Sequence, residues 1–206
     1  MDYKQQLIQA YNSDVAGREI RIDCQRTWKD EARDDFVKKL NSEGKKIILD
    51  MGAGLGKDAL YFSELGFEVM AIDIADKMVE KCVEKGIDAK LCDLYDIRTL
   101  DKKFEAIYSM NVMLHVPRTD LDIVLNNIVE VMKKDGLFFY GVYSRGSDVE
   151  EYIVTEDNLE LPRMFSFLSD ETILKVTGKY FRVVEFKKYR CKDPGFYFQA
   201  LTLRKD

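Results

Sequence analysis

The most constraining feature of this sequence is the string Asp50-Met51-Gly52-Ala53-Gly54-Leu55-Gly56-Lys57-Asp58. Before it stands the apolar, β-branched run Ile47-Ile48-Leu49. After it come Ala59, Leu60, Phe62 and Leu65, spaced as one helix face and stopped by Gly66. The segment therefore predicts a strand, a tight turn and a helix. Glycine has no Cβ, so three glycines at alternate positions let the backbone turn sharply and lie close against a ligand. A ligand seated on this loop is the first expectation.

The same alternation continues downstream. Phe67 to Ile72 predicts a strand ending in Asp73, and Met78, Val79, Cys82 and Val83 share one face of a helix closed by Gly86. Strands are expected at 87–92, 104–109 and 137–143, with a helix bearing Leu121, Val124, Leu125, Ile128, Val129 and Met132 before the Asp135-Gly136 turn. Thr119 is positioned to cap that helix. Five strands alternating with helices imply a mostly parallel sheet covered on both faces. Near the C-terminus, a helix from Asp170 to Thr177 precedes strands at 181–189 and 195–204. The 190–194 link is too short for a parallel crossover, so these strands should pair antiparallel. Ahead of the glycine string, Tyr3, Leu7, Ala10 and Tyr11, then Trp28, Ala32, Phe36 and Leu40, predict two amphipathic helices. We expect residues 1–44 to cap the site and residues 45–206 to form an α/β unit, together one structural domain.

Composition narrows the function. The 206 residues are 46% hydrophobic and 33% charged with a formal net charge of −5, which suits a packed globular chain and not a dedicated nucleic-acid binder. No apolar run reaches the roughly 18 residues of a membrane span, and nothing resembles a signal peptide, so a cytoplasmic protein is expected. Cys24, Cys82, Cys92 and Cys191 form no CxxC pair, and His115 is the one histidine, so no metal site is expected.

Two nucleoside cofactors fit a glycine loop followed, about 20 residues on, by an acid that can accept from ribose hydroxyls, here Asp73. A dinucleotide fingerprint places its last glycine where this chain has Lys57. The string at 48–59, Val-Met-Ala-Ile-Asp-Ile at 69–74, Leu-Cys-Asp-Leu at 91–94, the stretch from Tyr108 to Val116, and Met-Lys-Lys-Asp-Gly at 132–136 together resemble the ordered motifs of class I, Rossmann-like S-adenosylmethionine-dependent methyltransferases. The resemblance covers about residues 45–143, with stand-alone small-molecule enzymes the nearest in pattern. It implies an α/β fold with a seven-stranded sheet of order 3-2-1-4-5-7-6, strand 7 antiparallel, and helices on both faces. It further implies S-adenosylmethionine as cofactor, held by Asp50, Gly52, Ala53, Gly54, Asp73, Ile74, Met78, Cys92, Asp93, Leu94, Met110 and Asn111. In that reading Ile74 and Met78 flank the adenine, while Asp93 holds its amino group.

The expected activity is methyl transfer to a small-molecule acceptor, without nucleic acid or membrane, by a monomer or homodimer. An NAD(P)-dependent oxidoreductase and a non-catalytic S-adenosylmethionine-binding module are the alternatives. His115 and Asn111 are candidate catalytic residues. Tyr11, Trp28, Tyr143, Arg145 and Arg163 are candidate acceptor contacts, and Arg33 could join Tyr11 and Trp28 in covering the site. Substrate determinants should lie in residues 144–167, beyond the strand ends. Arg145 and Arg163 suit an anionic acceptor there, whereas Asp148, Glu150, Glu151, Glu156, Asp157 and Glu160 suit an amine, and a solvated lid explains the segment as well. Lys57 opposes the helix dipole and is expected to be solvated beside Asp58.

Overall fold

The computed structural model describes residues 2–21, 28–155 and 158–206. Cys24, Glu156 and Asp157 lie outside the described residues. Helices α1 (Tyr3–Ser13), α2 (Val15–Arg21) and α3 (Trp28–Ser42) precede the alternating unit β1 (Ile47–Met51), α4 (Lys57–Glu64), β2 (Glu68–Asp73), α5 (Asp76–Glu84), β3 (Asp88–Leu91), β4 (Phe104–Met110), α6 (Leu121–Val131) and β5 (Met132–Ser144). A hairpin of β6 (Val149–Thr155) and β7 (Asn158–Phe167) follows, then α7 (Asp170–Thr177), β8 (Arg182–Arg190) and β9 (Tyr197–Arg204).

The central sheet runs β3-β2-β1-β4-β5-β9-β8, parallel except for β9, which is antiparallel to both β5 and β8. With the β6–β7 hairpin set apart as its own two-stranded sheet, this is the order 3-2-1-4-5-7-6 that the family resemblance implies.

Side chains alternate across the sheet with the strand period of two, and both sets are buried. Leu49, Ile107, Phe138 and Tyr140 face α6 and α7, packing with Val124, Leu125, Ile128 and Ile173. Ile48, Ala106, Tyr108, Phe139 and Phe198 face the other way, against Phe36 and Leu40 of α3 and Ala59 and Phe62 of α4. Core helices thus fix the strand ends where ligands bind in open α/β sheets.

Four expectations are corrected. Helix α2 was not foreseen, because Gly17 interrupts it and its sequence carries no long apolar stripe. Strand β5 begins at Met132, not Leu137: Met132 pairs with Phe104, and the register then shifts around the Asp135 turn, where φ is 56°. Thr119 does not cap α6; it lies in a short 3-10 turn and donates to Asp120. The acidic segment after β5 is a paired hairpin and not a loop.

Candidate functional site

At the carboxyl ends of β1, β2 and β4 lies a cavity of about 430 Å³. Its floor is the glycine loop. The amides of Gly52 and Ala53 both donate to the Ile72 carbonyl at 2.8 and 3.0 Å, which locks the turn onto β2. Gly52 has φ 66°, and a Cβ there would stand 2.1 Å from Val112 Cγ2, so only glycine lets the loop cross β4 so closely. Gly54 has φ 54° with open space where its Cβ would be, on the cavity side.

Among the described residues five carboxylates line this cavity, Asp30, Asp50, Asp58, Asp73 and Asp93, and three of them stand at or just beyond strand ends. Asp73 Oδ2 accepts from the Gly54 amide and Oδ1 from the Ala75 amide, both at 2.9 Å, so its orientation is set by the loop it serves. Burial raises the Asp73 carboxyl above the usual carboxylate range, while those amide bonds oppose the rise. Asp50 is raised well above that range, by burial and by the carboxylates of Asp58 and Asp73. Its Oδ2 is buried without a hydrogen-bond partner. Asp93 faces α1 and accepts from Lys4 at 2.6 Å and from the Tyr95 amide at 3.2 Å.

The raised Asp50 value has a measurable consequence. The folded protein holds this proton above the pH at which the unfolded chain releases it, near 4. Ligand-free stability should therefore fall as pH rises from that point through the folded-state value. The melting temperature of the ligand-free protein is expected to fall with pH across that interval, and to fall less in Asp50→Asn; equal slopes in pH-resolved thermal melts would contradict this account of Asp50.

Asn111 ends β4 in the left-handed region, φ 59°, with its amide donating to the Gly141 carbonyl at 2.8 Å. Its Oδ1 is buried and has no hydrogen-bond partner. Strained non-glycine backbone persists where the surroundings enforce it, and here it turns the residue into the cavity.

Beyond the loop, His115 is 7% exposed. Its Nδ1 lies 2.7 Å from the Met164 carbonyl of β7, and its Nε2 lies 2.7 Å from Tyr11 Oη of α1. A carbonyl only accepts, so Nδ1 carries the proton and neutral Nε2 accepts from the Tyr11 hydroxyl. Burial raises Tyr11 above the ordinary phenol range, keeping it a donor.

Of the sequence-predicted residues, Asp50, Gly52, Ala53, Gly54, Asp73, Ile74, Cys92, Asp93, Leu94, Met110, Asn111, His115 and Tyr11 all line this cavity. Met78 instead packs beneath it with Leu55 and Ala75, against Tyr11 and Val15. Trp28 and Tyr143 meet each other, Tyr189 and Phe198 in an aromatic cluster. Arg145 pairs with Glu151 and covers the rings of Phe167 and Phe196. Arg163, buried, lies over the Tyr11 ring and so backs the wall without lining it. Arg33 is also buried, donating to Asp58 at 2.7 Å. Lys57 is not simply solvated beside Asp58; it reaches Asp30 at 3.6 Å.

Sequence reasoning missed Lys4, Arg18 and Tyr95 among the lining residues. For Lys4 the signal was present, since it shares the helical face of Leu7 and Tyr11 at intervals of three and four.

A glycine-floored cavity at a sheet's switch point, walled by Asp50, Asp73 and Asp93, has the form of a nucleoside-binding site in an open α/β sheet. Residues 48–136 match the family described as a methyltransferase domain. That match, over less than half of the chain, makes this segment similar to methyltransferase domains and favours the methyl-donor reading over the dinucleotide one. It is 28% identical over 131 residues to phosphoethanolamine N-methyltransferase 1 of Zea mays, covering 59% of this chain and 26% of that protein. The chain spans between 26% and 53% of the length of the first curated relatives it matches. In fold it resembles 1,6-didemethyltoxoflavin-N1-methyltransferase of Burkholderia thailandensis, with TM-score 0.72 at 18% identity over 98% of this chain and 86% of that one. It also resembles magnesium protoporphyrin IX methyltransferase of Synechocystis, with TM-score 0.72 at 17% identity over all of both chains.

The cavity fits S-adenosylmethionine on its own features. Asp50 Oδ2 and Asn111 Oδ1 are buried oxygens without hydrogen-bond partners in residues that line the cavity, which suits a ligand bearing an ammonium. Gly54 leaves room that a side chain would fill. Among the described residues no helix is long and apolar enough to cross a membrane, and no His, Cys, Asp and Glu cluster could hold a metal ion.

Proposed function

We propose that this protein transfers the methyl group of S-adenosylmethionine to a small-molecule acceptor that gives up a proton at the Tyr11–His115 pair. The observation that carries this reading is the pair itself, tautomerically fixed at the wall of the cofactor cavity. When bound, the cofactor supplies an electrophilic methyl on a positively charged sulfur. Asp73 would hold the ribose, Asp93 the adenine amino group, and Asp50 with Asn111 the amino-acid ammonium. The Tyr11 oxygen takes the proton from the acceptor as its own proton passes to His115 Nε2, leaving an imidazolium whose Nδ1–H still donates to Met164.

Acceptor size follows from the roof. Helix α1 and the β6–β7 hairpin meet over the site through Tyr11, His115 and Arg163, which favours a small molecule over a folded macromolecule. Closure also keeps water from competing for the methyl group.

The test is thermal melting with S-adenosylhomocysteine or NADH, followed by transfer of labelled methyl into a pool of small metabolites. S-adenosylhomocysteine should stabilise the fold and NADH should not. His115→Asn should lower transfer about 100-fold or more while leaving S-adenosylhomocysteine affinity within about threefold. Binding without transfer to any acceptor would instead favour a non-catalytic cofactor-binding module.

A further inference from the structure

Helix α1 crosses the cavity mouth and is fastened at both ends. At its C-terminal end Tyr11 donates to His115, and Asn12 donates to Asp76 at 2.5 Å while accepting from the Lys77 amide at 3.2 Å. At its N-terminal end Tyr3 meets the Tyr95 hydroxyl at 2.9 Å, and Lys4 pairs with Asp93 at 2.6 Å. Lys4 also lies 3.6 Å from the Tyr95 ring centroid, so its ammonium is held between a carboxylate and an aromatic face. This pair is partly shielded, with the two side chains 28% and 20% exposed.

The N-terminal end is the informative one. In the proposed function Asp93 accepts from the adenine amino group, yet in this structure a cation from the covering helix already occupies its Oδ2. A second cation repeats the pattern. Arg18 of α2 lines the same cavity, stands over the Tyr11 ring at 4.4 Å, and its charge acts on Asp73, the ribose acid. The two carboxylates that would recognise the nucleoside are therefore both faced by positive side chains of the helices above them.

We propose that Lys4 is a latch: it holds α1 shut on Asp93 in the ligand-free protein, and the cofactor must displace it to reach that carboxylate. This rests on the cofactor reading above. Binding is then coupled to opening of α1, and apparent affinity is lowered by the fraction of molecules still latched. Releasing Lys4 on cofactor binding frees an ammonium at the rim, and salt, which screens the partly exposed pair, should weaken the latch.

The experiment compares wild type with Lys4→Met by hydrogen exchange of the α1 amides without ligand and by calorimetric titration with S-adenosylhomocysteine. The latch requires faster α1 exchange in the variant, about three- to tenfold tighter binding, and a smaller gap between the proteins at 0.5 M salt than at 0.05 M. Asp93→Asn, which removes the same pair from the other side, should also speed α1 exchange. If wild type binds S-adenosylhomocysteine and Lys4→Met binds it no more tightly, with α1 exchange unchanged, the latch is wrong and the cofactor reading stands. If wild type does not bind it at all, both fall.

Discussion

Gly52→Ala is expected to weaken S-adenosylhomocysteine binding by about 100-fold. The left-handed φ of 66° costs a residue with a Cβ on the order of 1–3 kcal/mol, and the new atom would lie 2.1 Å from Val112 Cγ2. Both costs fall on the turn whose amides are pinned to Ile72, so relief of the clash pushes the loop away from Asp73. The double variant Gly52→Ala with Val112→Ala removes the two closest overlaps, leaving Val112 Cβ at 3.0 Å, and keeps the backbone strain. It should recover part of the affinity, measured by the same titration. Wild-type affinity in Gly52→Ala alone would show that the cofactor does not sit on this loop.

The second large effect concerns stability. Arg33 is 7% exposed and joins α3 to the first turn of α4, donating to Asp58 at 2.7 Å, pairing with Asp30 at 3.1 Å, and stacking 3.7 Å from the Tyr61 ring centroid. Arg33→Met keeps apolar bulk but leaves Asp58 and Asp30 without their guanidinium. Breaking a buried pair from one side costs about 3–5 kcal/mol, and because these carboxylates reach solvent a loss of about 2–3 kcal/mol is expected. That corresponds to a fall in melting temperature of roughly 5–10 °C for a chain of this size. Arg33→Met with Asp58→Asn removes charge from both sides and should restore part of the loss. A single-variant change under 1 °C would mean that the packing of Ala32, Phe36, Val37 and Leu40, with the Tyr61–Asp34 and Lys187–Asp35 contacts, holds α3 without Arg33.

The sheet was legible in the sequence because its strands are apolar runs, β2 and β3 following Gly66 and Gly86, and because both faces are buried; the Asp135-Gly136 turn instead hid the first residues of β5. The cavity wall was legible for the same reason. Asp50, Asp73 and Asn111 each stand at a strand end, so locating the strand located the residue. What lies above the sheet was not. The β6–β7 hairpin has exposed Tyr152 and Val154, so no apolar stripe betrays which side it packs. Its role is set by contacts across long stretches of chain, such as Met164 to His115. Trp28 and Tyr143 show the converse. Their residue types suggested an acceptor surface, whereas their neighbours Tyr189 and Phe198 come from the closing strands and absorb them into an aromatic cluster.

The hairpin leaves the sheet at Ser144 and returns at Leu168, and these two ends are stitched together. Ser144 Oγ donates to the Leu168 carbonyl at 2.6 Å, and the buried Gln199 amide reaches the same oxygen at 3.2 Å. The domain therefore has a socket: everything between the stitches can be exchanged without re-registering a strand of the central sheet. Met164, Arg163 and Phe165, which touch His115 and Tyr11, tie the exchangeable piece to the cavity wall. Descendants of this architecture could thus change the molecules they act on by replacing one cassette, while the cofactor half is inherited intact.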